Sequence, residues 1–391
     1  MQVVEPVKAV VTGDNHLNLY SQKLGAKLEE RRQRIGQAWR KTIDYSIKEK
    51  ADIYLNTGDL FDQLSPRNPP RARVVEAFKD LQDAGIQAFI IAGNHEAPAS
   101  MRDGASPHTI LSEAGLARVF ECYREFEQEI IDVKGTEISI AGLSYNRNVG
   151  AKVDPIEDLE IPGNSDINIA MLHYSIERIA PPIWEEPMIK ISSIERNNHI
   201  HLYAMGHIHE YVNTKINDSH IIYPGGTERY NFGECQQTTG FCYIEFNPEI
   251  KIQYVKTQPQ HMRQVNLHTS MMDPDDPTAS ILLEIKQNSD IDGLFQLVLE
   301  GETPFEQYTS IDFPKLMNVG NLENFYFEYL DHIRPIVKGM EFKQGGGLNP
   351  RKELEEIAKK AMEDSTEKDR KIWEQAADYA LSYYLKSRDE R

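Results

Sequence analysis

The chain has 391 residues, 40% of them apolar and 9% aromatic, the composition of a folded globular protein rather than a disordered one. That length is too great for one small core, so a large domain with a smaller companion is expected. The net charge of −18 argues against a general nucleic-acid binder with a basic face. However, residues 1–100 hold 14 basic against 13 acidic side chains, so the acidity belongs to the later segments.

No apolar run approaches the roughly 18 residues of a membrane span, and no membrane contact is expected. At the N-terminus Val7–Val11 reads as a strand leading directly into Asp14, which leaves no cleaved signal to expect. Through the first 210 residues short apolar runs alternate with helical patterns. Ala9–Thr12, Asp52–Asn56, Ala88–Ala92, Ile138–Gly142, Ile167–Leu172 and Leu202–Met205 read as buried strands. Lys27–Glu49 and Pro70–Ala84 read as helices, the first with Ile35, Ala38, Trp39, Thr42 and Ile43 on one face. Such alternation implies an α/β architecture of sheets covered by helices.

Past Asn247–Thr257 the character changes. Arg263–Asn266, Ser280–Lys286 and Asn324–Tyr329 read as strands and Ile291–Glu300 as a helix, a second, smaller α/β domain. Gly345–Gly347 reads as a flexible joint. After it, residues 350–363 and a segment from Asp364 to about Lys386 read as two helices. Cys122, Cys235 and Cys242 sit outside every motif and fit no zinc spacing, so ordinary thiols in a reducing cytoplasm are expected.

Five short motifs follow one another along the α/β half: Asp14-x-His16, Gly58-Asp59, Gly93-Asn94-His95-Glu96, His173 and Gly206-His207-Ile208-His209. Each alone has an ordinary explanation as a chance pair, a turn or a buried histidine. Their joint occurrence, each after a predicted strand, places them at the carboxyl ends of strands, where α/β sheets gather ligands. Two Asp, one Asn and five His suffice for two divalent ions. A metal pair about 3.5–4 Å apart activates water and neutralises phosphate oxygens. Asp59 is the natural bridging carboxylate. Asp14, His16 and His209 complete one metal position, and Asn94, His173 and His207 the other. His207-x-His209, read as extended, points both rings to one side. Imidazole, carboxylate and amide without thiolate suit Mn, Fe, Zn or Co. His95 is left as the catalytic residue that stabilises the phosphoryl oxygens or protonates the leaving alkoxide. His108, His199, His201 and His220 are read as structural.

This motif set resembles the calcineurin-like metallophosphoesterases. Thr57-Gly-Asp-Leu-Phe-Asp62, Ile91-Ala-Gly-Asn-His-Glu96 and especially Ile222-Tyr-Pro-Gly-Gly-Thr-Glu-Arg-Tyr-Asn-Phe-Gly-Glu234, with its Tyr-Pro-Gly-x-x-x-Arg stretch, resemble the SbcD-type DNA double-strand-break repair nucleases. The resemblance implies a two-sheet sandwich flanked by helices (residues 1–247), a smaller capping domain that positions DNA (248–343) and a helical partner-binding segment (349–391). It also implies Mn-dependent exonuclease and endonuclease action, DNA as substrate, a homodimer and an SMC-like ATPase partner. The same motif positions make Asp14, His16, Asp59, Asn94, His173, His207 and His209 metal ligands, His95 catalytic, and Asp62 and Arg229 substrate-binding. Asp62 stands where some members carry His, which leaves the exonuclease/endonuclease balance open. The alternative is a phosphoesterase acting on a nucleotide, a cyclic phosphodiester or a phosphoprotein.

Overall fold

The computed structural model describes residues 5–98, 104–179, 185–247 and 249–336, with five isolated residues beyond. The chain divides into two compact units, Met1–Pro335 and Ile336–Arg391; the architecture below is that of the first. The glycine joint and, apart from residues 359, 360, 362, 370 and 373, the two helices expected after it fall outside the described residues.

The first half runs β1 Val7–Thr12, α1 Leu28–Lys48, β2 Ile53–Asn56, α2 Asn68–Asp83, β3 Gln87–Ile91, α3 Thr109–Glu113 and β4 Arg118–Phe120. A hairpin of β5 Glu127–Val133 and β6 Thr136–Gly142 follows, then β7 Ile167–His173 and the short β8 Ser175–Ile176 and β9 Met188–Ile189. Next come α4 Ile191–Arg196, β10 Leu202–Gly206, β11 Val212–Ile216, β12 Ser219–Tyr223, β13 Gly240–Asn247 and β14 Glu249–Lys256. The last part runs β15 Met262–His268, α5 Pro277–Asn288, β16 Leu294–Pro304, α6 Phe305–Thr309, α7 Phe313–Glu323 and β17 Tyr326–Ile336.

Two six-stranded sheets, ordered β14-β13-β1-β2-β3-β4 and β11-β12-β10-β7-β6-β5, form the body. Within each sheet four consecutive strands run parallel, from β1 to β4 and from β12 through β10 and β7 to β6. Strand periodicity of two explains the layering. Val7, Ala9 and Val11 of β1 enter the core between the sheets, while Val10 joins the core beneath α1 and α2. Ile169 and Met171 of β7 likewise face the first sheet, and Ala170 and Leu172 face the opposite side. Both faces being buried, these strands are mostly apolar, interrupted only by Lys8 and Thr12 in β1 and by Asn168 and His173 in β7, as parallel strands covered on both sides favour. On α1, Ile35, Ala38, Trp39, Thr42 and Ile43 are buried as the helical spacing predicts. Two helix-starting prolines, Pro69 and Pro70, occupy the first turn of α2, where no backbone N–H is required.

The third sheet, β15-β16-β17, has its own apolar core with α5 and α7. Here two expectations reverse. Ser280–Lys286 lies in α5, and Ile291–Glu300 overlaps β16. Asp276 caps the helix by accepting from Ala279 N, with Pro277 in its first turn, the signals that outrank a short apolar run. In β16 Phe295, Leu297 and Leu299 alternate inward, whereas Ile291, placed on the expected helical face, is 66% exposed. The expected domain boundary at 247/248 falls inside a hairpin, because β14 pairs with β13 along its whole length. No helix among the described residues is long and apolar enough to cross a membrane.

Between the sheets Phe120 stacks on Phe89 with ring centroids 6.2 Å apart, and a Cβ at Gly142 would overlap the Phe120 ring. Phe120→Ala is expected to cost about 3–5 kcal/mol in urea unfolding. Gly142→Ala alone should cost about 1–3 kcal/mol, and much less in the Phe120→Ala background. Additive losses would show that the two positions do not share space.

Candidate metal centre

The carboxyl ends of β1, β2, β3, β7 and β10 meet at one edge of the sandwich and deliver Asp14, Asp59, Asn94, His173 and His207. Backbone bonds lock these turns together: Asp14 N donates to Gly58 O at 3.0 Å and His16 N to Asp59 O at 2.9 Å. Side chains tighten the lock further, since His207 N donates to Asp14 Oδ1 at 3.0 Å and His95 N to Asp59 Oδ1 at 2.9 Å. Four of the motif residues, Asp14, His16, Asp59 and His207, hold φ between 48° and 92°, a left-handed backbone that non-glycine residues rarely adopt. Neither Asp14-x-His16 nor His207-x-His209 is therefore extended, and His207 and His209 reach different neighbours. Gly58 has φ 97°, and a Cβ there would lie 2.7 Å from both Gly93 N and His173 Nδ1; only glycine permits this approach.

The ligand atoms converge. Asp14, His16 and His209 offer atoms within 4.8 Å of one another, as do Asp14, Asp59 and His173, and also His16, Asp59 and His95. His16 Nε2 lies 3.1 Å from His209 Nε2 and 3.9 Å from Asp59 Oδ2. On the other side His173 Nε2 lies 3.3 Å from Asp59 Oδ2 and 3.0 Å from Asn94 Oδ1, and the latter is 3.0 Å from His207 Nδ1. Asp59 stands between the two groups.

The outer nitrogen of each ring decides what the inner one can do. His173 Nδ1 donates to the Thr57 carbonyl at 2.8 Å and His95 Nδ1 to the Asp62 carbonyl at 3.0 Å. His209 Nδ1 meets Glu234 Oε1 at 2.9 Å, His16 Nδ1 lies 3.2 Å from Asp62 Oδ1, and His207 Nε2 lies 2.9 Å from Glu186 Oε2. With the proton held outward, each inner nitrogen presents a lone pair to carboxylate and amide oxygens. The buried Asp14 Oδ2 has no hydrogen-bond partner. Lone pairs facing lone pairs in a buried site require cations, so the donor set fits two divalent ions, with Asp14, His16 and His209 able to hold one and Asn94, His173 and His207 the other. Such outer partners fix the ring tautomers of metal-binding histidines.

Protons are the competing cations. Burial disfavours the charged form of His173, but the Asp59 carboxylate outweighs it and raises its pKa to about 9. His95 is also raised to about 9, burial being outweighed by Asp62 and Asp59. Burial opposes ionisation of Asp59, yet the surrounding His173, His16 and His95 rings hold its carboxyl well below the usual range.

All seven expected ligands and His95 thus meet, and Asp62 stands beside them against His16 and His95. Arg229 does not join them. Its guanidinium donates to the Gln237 carbonyl at 3.3 and 3.2 Å and braces its own loop. Sequence reasoning missed Glu186 and Glu234, and also Tyr230, whose ring sits 4.6 Å from that of His16. It also missed the buried pair His108–Glu96 at 2.7 Å, in which Glu96 further accepts from Phe61 N and Gly93 N and ties the Asp59 loop to the Asn94 loop. A buried amide chain adds support: Asn15 bonds Thr12 and Thr227, accepts from Asn56, and Asn56 accepts from Gly58 N. Glu96, Tyr230 and Glu234 lie inside motifs that the sequence marks without showing these roles; Glu186 and His108 carried no such signal.

Two outcomes follow for metal loading. Asp59→Asn is expected to lower bound metal from two equivalents by at least one, read by elemental analysis, and Glu234→Gln to weaken affinity roughly 10–100-fold. Because His173 and His95 hold protons up to about pH 9 without an ion, affinity should rise with pH towards that value. Calorimetry at pH 7.5 should then show proton release as a buffer-dependent enthalpy.

Residues 7–211 match the family model for calcineurin-like phosphoesterases. The DNA double-strand break repair protein Mre11 of Methanocaldococcus jannaschii is 28% identical over 60% of this chain and 61% of that protein. The protein of the same name from Saccharolobus solfataricus is 24% identical over 86% of this chain and 85% of its own. The chain thus spans about three fifths of the first relative and most of the second. Among solved structures, a dimetal phosphatase from Danio rerio shares 11% identity over 65% of this chain and 97% of that one, with a TM-score of 0.42. The family match takes in Asp14, His16, Asp59, Asn94, His95, His173, His207 and His209, and this chain belongs to the calcineurin-like phosphoesterases.

Proposed function

We propose that this chain is a two-metal DNA nuclease that hydrolyses phosphodiester bonds as exonuclease and endonuclease in double-strand-break repair. The observation that carries the reading is the ring of inward-facing donor atoms around Asp59, with His95 beside it. DNA is favoured as substrate because both relatives described above are named for break repair. The Tyr223–Glu234 stretch adds support, since it supplies the Glu234 that orients His209.

When bound, a divalent pair, for which we propose Mn, supplies the Lewis acidity that activates water and neutralises the phosphate. The chain's own residues do the rest. Glu186, Glu234 and Thr57 fix the rings. Asp62 holds His95 through its carbonyl and keeps Nε2, 4.0 Å from Asp59 Oδ2, directed at the cluster. The His95 side chain is 30% exposed, against 0% for His173, so it meets an incoming phosphate. In its protonated form it donates to a phosphoryl oxygen or to the leaving alkoxide. The wider assembly belongs to the same proposal: a homodimer bound to an SMC-like ATPase in the cytoplasm, with the third sheet and its helices, from β15 onward, positioning DNA and residues 349–391 docking the partner.

Purified protein with Mn²⁺ is expected to degrade end-labelled linear duplex DNA. Hydrolysis of a generic phosphate ester without DNA cleavage, with the ATPase present, would instead assign a phosphoesterase of nucleotides, cyclic phosphodiesters or phosphoproteins. His95→Ala should lower kcat about 10²–10⁴-fold with both metals retained. Loss of an ion would make His95 a ligand, a role its place beside His16 and Asp59 allows. Removing residues 349–391 should abolish co-purification with the ATPase.

A further inference from the structure

Beside His95 the chain encloses an open cavity of about 720 Å³, whose lining includes Gln63, Leu64, Ala97, Tyr145 and Arg147. That volume lies within the roughly 300–1,000 Å³ of small-molecule pockets and exceeds what one phosphate group fills. Asp62, Asn94 and His95 form the wall shared with the metal centre.

Arg147 is exposed, and its Nη2 donates to the Asn94 carbonyl, the peptide that joins a candidate ligand to His95. It makes no ion pair among the described residues, whereas Arg31, Arg34, Arg40, Arg67 and Arg118 each pair with a carboxylate. Its loop is fixed: Tyr145 N donates to Ala92 O at 2.9 Å, and Asn146 N to the Tyr174 hydroxyl at 2.7 Å. The Tyr145 ring is nearly parallel to Tyr174 at 4.8 Å and to His207 at 6.2 Å. With the ring packed in this way, what it offers a ligand is its hydroxyl, which has no hydrogen-bond partner among the described residues.

We propose that Arg147 and the Tyr145 hydroxyl form a second phosphate subsite, which binds the phosphodiester adjoining the scissile one on the same strand. The inference rests on the nuclease reading and deepens it. A planar guanidinium with free N–H groups is suited to paired phosphate oxygens, and its anchorage on Asn94 O sets it one peptide unit from His95. Gln63, Leu64 and Ala97 then leave room for the intervening nucleoside. Binding at a phosphate remote from the reacting one positions the substrate for reaction. The subsite therefore selects polynucleotides over esters that carry a single phosphate.

The test compares kcat/KM with Mn²⁺ for a tetranucleotide and for a dinucleoside monophosphate, which has no second phosphate to bind. Wild type is expected to prefer the tetranucleotide. Arg147→Gln should reduce that ratio roughly tenfold, about the worth of one charge-assisted contact. Arg147→Lys should keep part of the preference, and Tyr145→Phe should lower it by a smaller factor. A ratio unchanged in Arg147→Gln, or a wild type without preference, overturns the subsite while leaving the nuclease reading intact. Failure of wild type to cleave either oligonucleotide strikes the nuclease reading itself and the subsite with it.

Discussion

Four of the five cluster histidines turn their outward nitrogen to a protein oxygen, Thr57 O, Asp62 O, Glu234 or Glu186, and His16 Nδ1 lies 3.2 Å from the Asp62 carboxylate. The inner nitrogens are then left as acceptors, pressed against Asp14, Asp59 and Asn94. Nothing in a protein interior satisfies such a set except added positive charge. The rest of the fold serves this constraint. The parallel strands of two mixed sheets end at one edge, so five strand ends can each contribute a residue without long loops. Glycines at 58, 93 and 206 let those ends approach where a Cβ would collide with Asp59, His173 or Thr57.

The body of the fold was legible because its signals are local. An apolar run followed by glycine and a polar ligand type can be read from a few residues, and the same reading ordered the metal motifs. The outer partners were not legible, since Glu186 and Glu234 acquire their roles only when loops 21 and 25 residues distant from His207 and His209 fold back on them. Left-handed backbone at Asp14 and His207 was equally hidden, because it is imposed by neighbouring strand ends and not by residue type. In the smaller sheet, periodicity misled. Ile291, Leu294, Phe295 and Val298 fit a helical face, yet the chain there is a strand whose inward residues are Phe295, Leu297 and Leu299. For short apolar runs the capping residue, Asp276 before α5, is better evidence than the hydrophobic spacing.

The acidity of the chain also reads differently at the level of single residues. Half of the described arginines, Arg31, Arg32, Arg34, Arg40, Arg67, Arg118, Arg178 and Arg334, pair with carboxylates within the fold. Arg31, almost fully buried, lies 3.4 Å from Glu228 and donates to Gln260, whose amide bonds Asp292 O. This chain of contacts joins α1 and the Glu228 loop to the approach of the third sheet. A buried pair of this kind adds little net stability; what it adds is a defined attachment. Arg147, which makes no ion pair among the described residues, sits beside the cluster and lines its cavity. Overall charge is thus a poor guide to what the cavity attracts, because field and contact there are set by a few groups.

The unpartnered Asp14 Oδ2 and the opposed ring nitrogens have a consequence for the life of the protein in a cell. A ligand that binds only the folded form raises stability by an amount that grows with its free concentration. Whenever ions leave this centre, protons on His173 and His95 replace part of their charge, but the stabilisation that ion binding adds is lost and the whole sandwich becomes easier to open. The abundance of the folded protein is therefore tied to metal supply: starvation for the ion would be felt as faster turnover by proteases as well as in the activity of each molecule.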